Sequence, residues 1–395
     1  MPRMILAALA VGLVSMWCAG CGARTELDVT PPERSDAGRR PDGGRVDAGP
    51  PPPSGCSLGP LLGPYVSDAP SFAYSLAEHV SPEGEAEYVV GYSNGWPPDD
   101  RAAIMTLSLD LTRRTRDVML PGTWERVGVA PSGDHLWAIA EDDNALDALE
   151  MTPAGGTWVI HRGPQICVDC FVGWTALRPA IAEDRALVGY RTAAGSSFLA
   201  VVDRSDAVLA TAYESESAPR AIEYPGGVIL ITSLAEPGLL RVRFLDDALG
   251  PVRETDIAMY STGEPPAPFT RESEVFLVGR PALDGPLAVF RVPAMGLPGL
   301  FEIPVDPTLA LGTHVALSRG NVAVLIEGID GDTIVVTDEG GAVVMDPTPL
   351  TVETGSYRHS PHIAPHPEGF AIVYGGWEES GFYGIYGRLL RCFAR

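Results

Sequence analysis

Four arginines stand at comparable points of the chain, Arg126, Arg178, Arg220 and Arg358, each just before or at the start of a short apolar stretch. Guanidinium forks gathered at one place suit carboxylate or phosphate groups. His314 and His359 fall beside the same kind of stretch. These six side chains form the candidate ligand-binding set, a local anion site on an acidic protein. The plainer reading pairs the arginines with neighbouring acids such as Glu125 and Glu223.

Other chemistry-bearing strings are weaker. His359, His362 and His366 are the densest histidine group, but Pro361, Pro365 and Pro367 forbid the helix that would gather them on one face. On an extended strand His359 and His362 point to opposite faces, so solvated or strand-edge histidines are expected there and no metal site. Gly91-Tyr92-Ser93-Asn94-Gly95 matches the G-x-S-x-G string of a hydrolase nucleophile elbow, which needs a helix after the serine. Trp96-Pro97-Pro98-Asp99-Asp100 follows instead, so Ser93 is read as part of an ordinary strand with Asn94-Gly95 as a turn. Glu141-Asp142-Asp143-Asn144 and Asp330-Gly331-Asp332 are rich in oxygen ligands but complete no calcium loop, and read as acidic turns. No catalytic residue and no cofactor is assigned.

Composition narrows the field further. The chain has 395 residues and a formal charge of −23, and all 28 basic residues are arginine. Without lysine there is no P-loop or kinase-type lysine for phosphates and no Schiff base. Such an excess of acid argues against nucleic-acid binding, which needs a cationic surface. A mean hydropathy of +0.09 is that of neither a polytopic membrane protein nor a wholly disordered one.

Arg3 precedes an apolar run from Met4 to Trp17, and Cys18-Ala19-Gly20-Cys21 follows, the layout of a secretory signal. The run is short for a membrane span. Ala19-Gly20-Cys21 resembles the lipobox of bacterial lipoproteins, with Cys18 where leucine is usual. The resemblance implies a signal peptide over 1–20, lipidation of Cys21 as a membrane anchor, and, with Gly22 rather than Asp after the cysteine, sorting to the outer membrane or cell surface of a Gram-negative-type bacterium. Residues 22–55 contain seven prolines, six glycines and no aromatic. Such a segment buries too little apolar area to offset its ordering entropy; residues 21–55 read as a disordered tether with a coil reach on the order of 30 Å.

Beyond the tether, a repeat organises the chain. Pro70-Ser71-Phe72-Ala73 recurs as Pro179-Ala180-Ile181-Ala182 and Pro361-His362-Ile363-Ala364, with echoes at Arg220-Ala221-Ile222 and His314-Val315-Ala316-Leu317. After each comes an apolar run such as Tyr88-Val89-Val90-Gly91-Tyr92 or Ala186-Leu187-Val188-Gly189-Tyr190, then a turn and a third strand. Short strands, frequent turns and almost no helical periodicity predict an all-β fold. First strands near 71, 127, 180, 221, 269, 315 and 362 give the period of β-propeller blades. Residues 56–395 are therefore expected to form a propeller of seven four-stranded blades, with six or eight as alternatives. The chain resembles β-propeller proteins in general. Blade-ending Trp-Asp pairs, kelch double glycines and complete Asp-boxes are all missing. Ala130-Pro131-Ser132-Gly133-Asp134 resembles the turn of Pro-Asp-Gly propellers, and Ile385-Tyr386-Gly387-Arg388-Leu389 a blade repeat of large secreted bacterial proteins.

Four further cysteines permit three pairings. Cys56 stands immediately before the first blade and Cys392 at the end of the last, and a ring brings those ends together, so a Cys56–Cys392 clasp is expected with Cys167–Cys170 as a small loop bridge. Phe171, where haem attachment would need histidine, and the lack of a second C-x-x-C count against haem and metal. The functional expectation is a lipid-anchored, monomeric, non-enzymatic module binding a protein or anionic glycan. A propeller hydrolase or lyase acting on anionic saccharides at the channel mouth is the alternative, since the fold hosts both. Trp124 and Trp174 are possible sugar-stacking or blade-packing residues.

Overall fold

The computed structural model describes residues 55–393, apart from 67–70, 82, 95–100, 123, 143–144, 173–176, 183, 206–207, 261–265, 306–309, 329–330, 351–355 and 379–382. The signal segment, Cys21 and the tether lie outside the described residues. The described chain is all strand and turn, arranged as seven antiparallel sheets.

Each sheet is a blade of consecutive strands. Blade 1 is Ser71–Val80, Ala86–Asn94, Arg101–Ser108 and Arg114–Met119. Blade 2 is Arg126–Ser132, His135–Asp142, Ala145–Ala154 and Thr157–Val168. Blade 3 runs through Ala180–Ala182, Arg185–Thr192, Ser197–Val202 and Val208–Tyr213. Blade 4 is Arg220–Tyr224, Gly227–Ser233, Leu239–Leu245 and Pro251–Ala258. Blade 5 is Phe269–Arg271, Glu274–Gly279, Ala288–Pro293 and Gly299–Glu302, and blade 6 is Ala310–Ser318, Asn321–Gly328, Thr333–Asp338 and Val343–Pro349. Blade 7 takes Ser356–His366, Gly369–Glu378 and Tyr383–Phe393 from the end of the chain and its outer strand, Gly55–Leu58, from the beginning. The protein is a seven-bladed β-propeller.

The second strands show why the sequence chooses this ring. A strand whose two faces are both buried reads as a continuous apolar run. In blade 4, Val228 and Leu230 pack toward blade 3, while Ile229 and Ile231 pack toward blade 5. In blade 5, Val275 and Leu277 face blade 4, and Phe276 and Val278 face blade 6. Seven apolar clusters result, one at each seam between blades. The recurring glycine of the second strand marks how closely the blades approach. A Cβ at Gly91 would strike the Val127 carbonyl of the next blade, and one at Gly189 would strike the Pro219 carbonyl.

The ends of the chain close the ring. Gly55–Leu58 pairs antiparallel with the last strand, setting Cys56 opposite Cys392, and the two sulfurs are bonded. Cys167 and Cys170 are bonded as well, at the crossing between blades: Cys167 pairs with Leu146 of blade 2, and Cys170 with Thr192 of blade 3. The two bridges differ in the loop they close, 336 residues against 3. In the chain-entropy model the long closure stabilises by about 6 kcal/mol and the short one by about 2. Cys56→Ser should therefore lower the urea midpoint clearly more than Cys167→Ser does, as followed by tryptophan fluorescence.

Candidate functional site

In every blade the first strand lies innermost, and the strands begin at one end of the ring, where each chain crossing arrives. Side chains just before or in the first half of these strands therefore converge on the axis. A cavity of about 80 Å³ lies there, lined among others by Arg178, Arg220, Glu223, His314 and His362. That is room for a carboxylate or a small cluster of waters.

Each polar side chain is held differently. Arg178 precedes the inner strand of blade 3, is 45% exposed, and lies 3.7 Å from the half-exposed carboxylate of Glu223 on blade 4. So loose an exposed pair binds weakly, and the guanidinium keeps donors for a ligand. Arg220 opens the inner strand of blade 4 and is buried. His314, on blade 6, is buried, and its Nε2 lies 3.3 Å from Glu327 Oε1 on the neighbouring strand. Its ring meets that of His362 edge-on, with centroids 5.1 Å apart.

His362 lies on blade 7, and its Nε2–H donates to the Ala73 carbonyl of blade 1 at 3.2 Å, fixing the tautomer and leaving Nδ1 as an acceptor. Burial first, then the nearby His314 and Arg178, pull its pKa down to about 3. Burial alone disfavours the charged ring; the smaller share that comes from Arg178 reflects a guanidinium beside the cavity, and such a cation favours an anion.

Of the six residues the sequence nominated, Arg178, Arg220 and His314 line this cavity. Arg126 lies elsewhere: its guanidinium holds the buried Glu141, 3.0 Å away, and the predicted partner Glu125 is not the acid in this pair. Arg358 and His359 lie on the strand Ser356–His366, but their side chains fall outside the described residues. The expectation of solvated histidines is corrected at two positions. His362 lines the cavity, and His366 is buried, its Nδ1 accepting the Glu368 amide N–H at 3.0 Å. The missed signal was the repeat: His362-Ile363-Ala364 aligns with His314-Val315-Ala316, so the two histidines occupy one slot on adjacent blades.

The remaining motifs fall away from the mouth. Ser93 is fully buried within the strand Ala86–Asn94, and the stretch after Asn94 lies outside the described residues. Trp124 packs against the core between blades 1 and 2, with its indole N–H on Asp147 Oδ2 at 2.9 Å, and Trp174 lies outside the described residues. Among the described residues no group of three or more His, Cys, Asp or Glu is placed to hold a metal ion.

The low pKa of His362 has a consequence for stability. An unfolded chain protonates this ring near 6.5, the native protein only near 3. Between those values the unfolded state binds more protons, so native stability falls as pH drops from about 6.5 toward 3. His366, also lowered by burial, acts in the same direction. His362→Gln, whose amide can still donate to Ala73, should flatten this part of the curve in urea denaturation at stepped pH.

No protein-family model matches the chain, and no curated protein sequence does. Solved structures match in fold. Hydrazine synthase of Kuenenia stuttgartiensis is 14% identical, covers 81% of this chain and 97% of its own, and superposes with a TM-score of 0.53. The β-propeller domain of Myceliophteria thermophila Cps50 (Swd1) is 11% identical, covering 85% of this chain and all of its own, with a TM-score of 0.50. The Dos1 propeller is 12% identical over 85% of this chain and 95% of its own, with a TM-score of 0.50. At such identities the likeness is one of fold alone.

Proposed function

We propose that this protein is a binding module of the bacterial cell envelope, lipid-anchored through Cys21, whose channel mouth takes a carboxylate-bearing group of a glycan or protein. One observation carries the reading: Arg178, Arg220, His314 and His362 converge from four blades on one cavity. The two guanidinium groups that line the cavity, Arg178 and Arg220, support an anionic ligand. Arg178 offers two-pronged donors at the rim, where a bound carboxylate would replace the loose contact with Glu223. Export and anchoring rest on the signal-like start of the chain and on two disulfides, which persist in oxidising compartments.

A lyase for anionic saccharides is a second reading, favoured by Arg178 and Arg220 on one cavity, which would hold the carboxylate beside the bond to be broken. His362, with a pKa near 3, is too weak a base to take the proton itself. Release of an unsaturated sugar from oligogalacturonate would move this reading to the front.

Binding is tested by calorimetric titration of the full chain with oligogalacturonate, a neutral oligosaccharide of equal length, and an acidic peptide. One of the two acids should bind, and the neutral sugar should not. Arg178→Gln should weaken that binding by about tenfold or more, the equivalent of one charge-assisted hydrogen bond. Equal affinity for the neutral sugar, or no effect of Arg178→Gln, would sink the anion reading.

A further inference from the structure

The end of the ring opposite the mouth carries a feature that ligand binding does not use. Blade 5 joins its third and fourth strands, Ala288–Pro293 and Gly299–Glu302, through a hairpin in which Met295 is 88% and Leu297 is 90% exposed. Single exposed apolar residues are ordinary, but apolar residues exposed together mark interaction surfaces. The hairpin is also held in place from the next blade. The Arg253 guanidinium of blade 4 donates to the Pro293 and Gly296 carbonyls, both at 2.6 Å. Val252, Leu300, Val343 and Phe393 add exposed apolar surface along the same rim, across blades 4 to 7.

Topology fixes which end this is. Antiparallel blades place the turn between third and fourth strands away from the crossings that feed the inner strands, hence away from Arg178 and His314. The chain joins the ring at this same end, because Gly55 pairs with Phe393, the last residue of blade 7's third strand. Only 33 residues separate Cys21 from Gly55, and on the tether reading, with its coil reach of about 30 Å, they would keep this end near whatever Cys21 is fixed to. A second copy of the chain is a poor occupant, since each copy carries −23 and the two repel. Uncharged lipid carries no such penalty.

We propose that this rim, led by Met295 and Leu297, rests on a lipid bilayer and turns the channel mouth away from it. The inference rests on the lipid-anchor reading. Lipid on Cys21 supplies the binding, and the rigid hairpin supplies the orientation, because two side chains alone hold a protein to a membrane only marginally. The conformation of the hairpin is set by Gly296, at φ +103°, and by Pro298, so little ordering is required on contact.

The experiment uses the full chain purified from the membrane fraction and reconstituted in phosphatidylcholine vesicles containing a lipid with a photoreactive acyl chain. Intact mass first reports whether Cys21 carries lipid. After illumination, cross-links are mapped by peptide mass spectrometry. Residues 293–300 should be labelled at least ~10-fold more than residues 280–287 at the mouth end, where the 64% exposed Leu283 serves as an internal control. The double variant Met295→Ser, Leu297→Ser should lose that preference while its thermal unfolding is unchanged.

Equal labelling of both ends, or an unlabelled hairpin on a lipidated chain, overturns the orientation and leaves the anchor reading intact. A chain without lipid on Cys21 overturns the anchor reading; mixed with the same vesicles, it still shows the hairpin labelled or not. Protection of the hairpin that follows protein concentration without vesicles would assign the rim to a second copy and overturn the proposal.

Discussion

The fold depends on how closely adjacent blades approach one another near the axis. Backbone meets backbone there: Gly375 of blade 7 lies against Ser71 of blade 1, as Gly91 and Gly189 lie against the blades that follow them. A side chain at these points would force the sheets apart. Close approach lets alternate residues of one strand fill two seams, which turns seven thin sheets into one continuous core. It also makes closure a condition of stability, since an open ring would leave two blades with a bare apolar face. The exchange of the outer strand of blade 7 between the two ends of the chain, bridged at Cys56 and Cys392, answers that condition.

Polar bonds across the seams set the register of one blade on the next. Ser75 Oγ accepts the Val129 N–H, Trp137 donates to the Asp184 carbonyl, Thr270 to Glu223, Thr313 to Val278 and Ser318 to His366. At the closing seam, Tyr88 Oη donates to the Pro365 carbonyl and His362 to Ala73. His362 thus belongs to two systems. It ties blade 7 to blade 1 and, with its other face, lines the mouth. The geometry of the candidate site is therefore set by the same bond that helps close the ring.

What the sequence made legible follows from that architecture. The two-faced apolar runs and the recurrent Gly-Tyr announce blades because each blade faces the same constraint, so the period and the number of blades could be read. The Cys56–Cys392 pairing was legible for the same reason, a ring having adjacent ends. Side-chain partners were not. Arg126 was placed with the other arginines by its position, yet the acid that claims it, Glu141, arrives from the neighbouring strand. His362 was passed over because proline spacing argues about helices, whereas its slot in the repeat argues about the axis. A repeat tells where a strand sits; it does not tell which neighbour reaches a given side chain.

Comparison with a second polar cluster shows why the mouth, and not another charged group, is the place for a ligand. At the seam of blades 1 and 2, the buried carboxylate of Glu87 receives His79 Nδ1 at 3.0 Å and Arg116 Nη1 at 2.7 and 2.9 Å. Arg116 also donates to the Gly155 carbonyl and to Glu83 and lies over the Trp158 ring. There the buried Glu87 carboxylate and the Arg116 guanidinium are paired at short range, as buried ions must be. At the mouth, by contrast, the Arg178 guanidinium stands at the rim in a loose, exposed pair with Glu223 that a ligand can replace. Tightly paired charge fastens a seam, and a loosely paired guanidinium beside a cavity can turn to an anion. That difference, not the count of ionisable residues, separates the scaffold from the site.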